Sequence, residues 1–333
     1  MTPVELSRTV LRAVRRAVDE GELSVAVPAR AVVTPPGPGG RGDYATNIAL
    51  QLAGPAGRPP RQVAEILRPH ISRTEGVSDV EITGPGFLNI HLDWAATAAL
   101  VRRIQEGDQQ ESQGAYGHSD SLLGEVVTLR IPYDIRAEVV ADALVRIIGS
   151  QGGRVEVEHA EPVNLRPVPA PEDPAPLGPD AARWALLYPA AHDRPRITAD
   201  HLVQRASNPL FRVRYAHARA RALHRNAAAL GFTSTPGDVR EEDTREGARE
   251  VATALAEYPH ALAHAAAHRA PDRLARHLVA VADALLAFQH TVLPRGEEKP
   301  SAAHRARLAL AEAAGTVLAG GLSLLSIDAP EHL

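Results

Sequence analysis

Between Phe211 and Arg219 the chain places Phe211, Arg212, Arg214, Tyr215 and Arg219 in nine positions, in a protein with only 4% aromatic residues. Guanidinium groups neutralise phosphates and a tyrosine ring stacks on an unpaired base, so a helix of this composition suits a nucleic-acid backbone. On such a helix Arg221 and Arg225 follow Arg214 at +7 and +11 and share its face, with Arg212 and Arg219 on a neighbouring one. Phosphates along a strand fit a row of this kind. The competing explanation is a solvated arginine face.

Other residue types ask for chemistry with less insistence. Phe87 and Asn89 alternate with Leu88 and Ile90, which on a strand puts the aromatic ring and the amide on one side. Phe87 is equally at home in a core, whereas a buried Asn89 needs hydrogen-bond partners. His260, His264 and His268 stand at i, i+4 and i+8, a spacing that suits a metal on one helix face. No acidic ligand falls at a matching position, so no metal and no cofactor is expected. Gly152-Gly153 lacks a phosphate-loop pattern, and no serine triad or carboxylate pair is singled out by spacing.

Composition bounds the partners. The net charge is −4, so any contact with a polyanion must come from a local patch. Arg194 to Arg225 holds eight arginines against the single acid Asp200, while Asp238 to Glu257 holds seven acids and three arginines. Charge segregated this way steers a polyanion to one surface. The absence of cysteine excludes disulfides, thiolate metal sites and cysteine nucleophiles. No apolar run approaches the ~20 residues of a membrane span and no secretory core is visible, so a cytoplasmic protein is expected. Lys299 is the only lysine.

The elements that must position these residues follow from periodicity and punctuation. Residues 3–20 read as a helix behind Thr2-Pro3, a cap and first-turn pair. Leu23–Val27 reads as a strand and Thr34–Gly40 as a turn. Helices are expected from about Tyr44 to Leu52, with Asp43 as N-cap and Asn47 in the first turn, and from Pro60 to His70. Val77–Ile82 and Phe87–Leu92 read as strands flanking Gly84-Pro85-Gly86, and Ala95–Gln105 as a helix. A polar linker at Gln109–Ser121 leads to a buried strand at Val126–Ile131, a helix at Arg136–Ser150 and a strand at Arg154–His159, a unit of the kind parallel sheets use. Pro162–Pro179 contains seven prolines and resists regular structure. From Asp180 onward the pattern is helical, interrupted near Gly231–Gly237 and Leu293–Ser301, with alanine-rich faces suited to a tight bundle. The expected fold class is α+β and multidomain: a small α/β N-terminal domain, a short strand–helix–strand piece and a C-terminal all-α bundle.

Three blocks resemble arginyl-tRNA synthetases. The first is Gly42-Asp43-Tyr44-Ala45-Thr46-Asn47-Ile48-Ala49-Leu50-Gln51-Leu52-Ala53, with Pro60–Glu65 and Gly84–Ile90, which is similar to the N-terminal additional domain that grips the tRNA D-loop. The second is Asp180-Ala181-Ala182-Arg183-Trp184 followed by Asn208–Arg219, and the third runs from Ala306 through Gly320-Gly321 to Asp328-Ala329-Pro330. The last two resemble the DALR-type anticodon-binding domain. The resemblance divides the chain into an N-terminal domain at 1–108, a linker and remnant of the catalytic Rossmann domain at 109–179, and the anticodon-binding domain at 180–333. It assigns D-loop contacts to Tyr44, Asn47, Phe87 and Asn89. It assigns anticodon-side contacts to Arg212, Arg214, Tyr215, Arg219, Arg221 and Arg225, and to His277, which stands where the family has a tyrosine.

The sequence also departs from the family. The family's His-x-Gly-His motif belongs after the Val126–Ile131 strand, where this chain has Pro132-Tyr133-Asp134-Ile135-Arg136. The Lys-Met-Ser-Lys-type loop needs lysines, and Lys299 sits between helices of the bundle. Leu285 and Gln289 replace aromatics, which thins the base-stacking platforms. The expectation is a non-catalytic paralogue that binds tRNA, with arginine tRNA the first candidate, and that presents, sequesters or delivers it to a partner enzyme. An interaction scaffold that has lost tRNA binding is the alternative. A label of arginine–tRNA ligase would follow from the family alone.

Overall fold

The computed structural model describes residues 1–37, 42–109, 115–239 and 242–333. They form two compact units, Met1–Leu100 and Val101–Leu333.

In the first unit, α1 (Pro3–Asp19) opens with a capping box: Thr2 Oγ1 accepts from Glu5 N at 3.3 Å, and the Glu5 carboxylate accepts from Thr2 N at 2.7 Å. Leu6, Val10, Ala13, Val14 and Ala17 form its buried stripe. The strand expected at Leu23–Val27 is absent. Leu23 N instead bonds Ala17 O at 3.0 Å, closing the end of α1, and the segment has no strand neighbour.

The sheet is antiparallel, ordered β1-β2-β4-β3, with β1 Val33–Thr34, β2 Tyr44–Thr46, β3 Val77–Thr83 and β4 Phe87–Leu92. The helix expected from Tyr44 begins later, as α2 (Ile48–Ala56). Tyr44, Ala45 and Thr46 pair with Ile90, Asn89 and Leu88 instead. Asp43 is no N-cap: its carboxylate accepts from Leu92 N at 2.7 Å, tying the entry of β2 to β4. Asn47 takes the cap position, without a side-chain bond. Helices α2 and α3 (Pro60–Ser72) pack against the sheet, and α1 against α3. The core gathers Leu6, Val10, Val14, Tyr44, Ile48, Leu67, Ile71, Leu88 and Ile90. The expected turn at Thr34–Gly40 and linker at Gln109–Ser121 lie partly outside the described residues.

Helix α4 (Trp94–Gln109) spans the division of the units. The second unit then holds β5 (Val126–Arg130), α5 (Ile135–Gly149) and β6 (Arg154–Glu158), the two strands parallel and in direct register, Val126 opposite Arg154. The expectation of a buried strand holds only at its end, where Leu129 and Ile131 are buried; Val126 is 55% exposed. Among the described residues these strands pair only with each other, so no third strand covers that edge. The proline-rich stretch is irregular apart from a turn at Ala175–Leu177. Helix α6 (Pro179–Leu187) follows. The helical pattern then breaks over 188–208, where Pro189 and Pro195 stand, leaving one 3-10 turn at Ala199–Leu202.

The bundle is α7 (Pro209–Ala229), α8 (Glu242–Ala267), α9 (Pro271–Phe288) and α10 (Ala302–Leu324). Helix α10 packs on the other three, and its glycines set the approach. A Cβ at Gly315 would sit 2.9 Å from Ala220 Cβ of α7, and one at Gly321 would collide with Leu278 of α9.

Candidate nucleic-acid interface

Helix α7 starts at a side-chain cap. Asn208 Oδ1 accepts from Leu210 N at 3.1 Å and Phe211 N at 3.4 Å, while its amide donates to the carbonyls of His201 and Val203. Leu210, Val213, Ala216, Ala220, Leu223 and Ala227 repeat every three or four residues and are buried in the bundle. The arginines are thereby forced onto the flanks, and each finds a partner inside the protein.

On one flank lies the irregular segment after α10. Arg214 stands between Asp180 at 3.5 Å and Asp328 at 3.8 Å. Arg221 Nη2 is 2.8 Å from Glu331 Oε1, and Arg225 donates to Glu331 O at 3.4 Å and contacts His332 Nδ1 at 3.3 Å. Between them His217 Nδ1 is 2.9 Å from Pro330 O. Burial pushes the His217 imidazole below its ordinary value; the Pro330 carbonyl works the other way. On the opposite flank Arg212 pairs with Asp283 at 2.9 Å and Arg219 Nε donates to Gln289 Oε1 at 2.6 Å. Gln289, noted in the sequence only as a lost aromatic, thus holds an arginine of the row. Tyr215 is 38% exposed and stacks on Phe211 with ring centroids 5.5 Å apart.

The structure therefore brings Arg214, Arg221 and Arg225 onto one face as expected, but Arg214 and Arg221 are already paired with Asp180, Asp328 and Glu331, and Arg225 is held by the Glu331 carbonyl and the His332 ring. His277 is not on that surface. It is half-buried between α8 and α9, its Nε2 2.9 Å from Ala254 O and its ring tilted against Tyr258. Burial drives its pKa down to about 4. Leu285 is likewise core.

In the first unit the four expected contacts part company. Tyr44 is 1% exposed, a core residue rather than a stacking platform, because β2 turns its ring into the interior. Asn89 is 2% exposed and its amide donates to Thr83 Oγ1 at 3.0 Å, which supplies the partner a buried amide requires. Phe87, 40% exposed, and Asn47, half-buried and bonded to Gln51 at 3.1 Å, are the two at the surface. At the end of α8 and one residue beyond it the rings of His260, His264 and His268 are neighbours, with centroids 5.6 and 4.0 Å apart. A group of three potential ligand residues among the described residues is Glu20, Glu22 and His70, in which His70 Nε2 and Glu22 already pair at 2.7 Å.

Sequence reasoning missed Arg136. It is fully buried and donates Nε to Leu186 O at 3.0 Å, Nη1 to Val168 O and Asp193 O at 2.7 Å, and Nη2 to Pro189 O and Ala190 O at 2.9 Å. The one local signal is Asp134, whose carboxylate caps α5 two residues earlier. Nothing nearby in sequence foretells acceptors more than thirty residues away.

Two family descriptions match this arrangement. The arginyl tRNA synthetase N terminal domain matches residues 5–92, and the DALR anticodon binding domain matches residues 213–333. The chain is arginyl-tRNA synthetase-like. Among curated relatives, the arginine–tRNA ligase of Renibacterium salmoninarum is 42% identical over 172 residues, and that of Frankia alni is 37% identical over 169. Each alignment takes in 48% of this chain and 30% of the relative, so the chain spans under a third of the length of these curated relatives. Among solved structures, Thermus thermophilus arginyl-tRNA synthetase superposes with a TM-score of 0.69 at 14% identity, covering 100% of both chains. The Plasmodium falciparum arginyl-tRNA synthetase gives 0.66 at 9% identity over 99% of both, and at these identities the likeness is one of fold. The synthetase-like bundle so identified carries the α7 arginine row, and no helix among the described residues is long and apolar enough to cross a membrane.

Proposed function

We propose that this chain is a non-catalytic arginyl-tRNA synthetase paralogue that binds tRNA and presents, sequesters or delivers it to another enzyme in the cytoplasm. The observation that carries this reading is the content of residues 93–212. Between the two matched domains the described residues form α4, one parallel strand pair with its crossover helix, a proline-rich irregular stretch, α6, a second irregular segment and the first turn of α7. Activation of an amino acid needs positive charge preorganised around a developing pentacovalent phosphate. After β5 the chain offers Pro132-Tyr133-Asp134-Ile135-Arg136, and Arg136 spends its guanidinium on backbone carbonyls. Phe87 and Asn47 remain as surface contacts for the tRNA elbow, and α7 with Tyr215 serves the anticodon side. The three-part division at 1–108, 109–179 and 180–333 belongs to the same reading.

A gel shift against total tRNA tests it. Replacing Arg214, Arg221 and Arg225 together with Ala is expected to weaken binding and to flatten the log–log salt slope by about two to three units. Unchanged affinity and slope in a folded triple variant would leave α7 a structural arginine face. One observation favours the second reading, a scaffold that has lost tRNA binding: every arginine of the row has a partner within the protein. No shift with any tRNA at low salt would establish that alternative.

A further inference from the structure

A cavity of about 760 Å³, separate from the α7 arginine row, lies in the second unit where the end of α6, the irregular segment after it and the start of α7 meet Arg276 of α9. Trp184 and Tyr188 both line it, Trp184 fully buried and stacked on half-buried Tyr188, with centroids 5.2 Å apart and planes 16° from parallel. Trp184 Nε1 is buried without a hydrogen-bond partner, which leaves a donor waiting for an acceptor. Arg194 and Arg196 line the same cavity and are exposed, and among the described residues neither side chain makes an ion pair or hydrogen bond. Arg276 adds a third guanidinium, 3.6 Å from Asp272.

The wall is built rather than incidental. Arg136 has five N–H groups and makes five bonds to carbonyls, four of them between Leu186 and Asp193. One buried residue thus fixes the segment that carries Tyr188 and leads directly into Arg194. A rigid aromatic shelf beside unpaired guanidiniums is the recognition chemistry of a planar ring that bears an anion. Asp193 and Asp200 also line the cavity, setting two carboxylates against three arginines, a balance that favours one phosphate over a polyphosphate.

We propose that this cavity binds a nucleotide unit, its base stacked on Tyr188 and its phosphate held by Arg194 and Arg196. The unit is either a free nucleoside monophosphate or an unpaired nucleotide of an RNA strand. The site does not depend on the α7 row, so it stands or falls apart from the function proposed above.

Trp94 and Trp184 are the only tryptophans, so Trp94→Phe leaves Trp184 as the sole emitter. Titration with AMP, CMP, adenosine, inorganic phosphate and a short single-stranded RNA is read by Trp184 emission, and by calorimetry on the unsubstituted protein. AMP, CMP or the RNA is expected to bind saturably and at least tenfold more tightly than adenosine or phosphate alone. Arg194→Ala with Arg196→Ala is expected to lower that affinity at least tenfold and to remove most of its salt dependence. Tyr188→Ala is expected to weaken nucleotide binding while leaving the weak phosphate binding unchanged. Binding of the monophosphates identifies a free ligand, and binding of the RNA alone identifies a nucleotide in a strand; either outcome supports the site. No saturable binding of either class by both readouts overturns it, as does undiminished affinity in variants that melt like the parent.

Discussion

His277 ties one residue to the pH response of the whole bundle. Its imidazole is held down to about 4 by burial, against an ordinary value of 6.5, although the Ala254 carbonyl it bonds acts in the opposite direction. Above pH 6.5 the ring is neutral in both folded and unfolded chains. Between 6.5 and about 4 the unfolded chain takes up the proton and the folded one does not, so stability falls as pH falls through that window. The gap corresponds to a loss of up to about 3 kcal/mol. Urea melts across that range should show it, and His277→Gln should remove this component of the pH dependence. Arg136 is the second residue-scale case. Arg136→Met takes the donor from five carbonyls, of which that of Leu186 is buried and the others lie on partly or fully exposed residues, so at ~1–3 kcal/mol for a buried group left unpaired the expected cost is about 3 kcal/mol. Urea denaturation in the Trp94→Phe background, followed by Trp184 emission, measures it. A cost below about 1 kcal/mol would mean that water replaces the guanidinium.

At the scale of elements, α7 is read by what lies against it. The segment after α10 lays Asp328 and Glu331 on Arg214 and Arg221, the positions a phosphate would take. Partly exposed pairs of this kind contribute ~0.2–1 kcal/mol each. If α7 meets a polyanion, Asp328→Asn with Glu331→Gln should therefore raise tRNA affinity by about 2- to 30-fold in filter binding at fixed salt. Lowered affinity would show that the segment positions the arginines rather than competing for them. Helix α10 depends on the absence of a side chain at Gly315 and, most closely, at Gly321. At Gly321 a methyl group would collide with Leu278, so Gly321→Ala is expected to destabilise the bundle by about 1–3 kcal/mol in thermal melts.

For the whole molecule, what matters is what separates the two matched domains. On the proposed reading the purified protein gives no arginine-dependent ATP–pyrophosphate exchange, while a full-length synthetase in the same buffer does. The argument is chemical. The strand that should lead into a phosphate-stabilising histidine pair is followed by Pro132-Tyr133-Asp134, and the lone lysine lies between α9 and α10. Exchange above background in protein freed of contaminating synthetase would overturn the non-catalytic reading and leave the fold untouched.

The sequence by itself determined the elements whose signals are local. Thr2-Pro3 placed the start of α1, Gly84-Pro85-Gly86 placed the β3–β4 turn, and the interruption near Leu293–Ser301 separated the last helix from the one before it. The period of buried alanines and leucines marked the bundle, and the blocks at both ends carried the family resemblance. Tertiary structure decided what depends on partners distant in the chain. Tyr44–Thr46 carries no local signal strong enough to choose between helix and strand, and β4, more than forty residues on, supplied the ladder that made it a strand. The arginines of α7 were legible as a row, but their neutralisation by Asp283, Asp328 and Glu331 was not, because ion pairs across seventy to more than a hundred residues leave no trace in spacing. Asn89, His277 and Arg136 make the same point from the interior. A polar side chain is legible as a type, but whether it reaches solvent is settled only when the elements around it close.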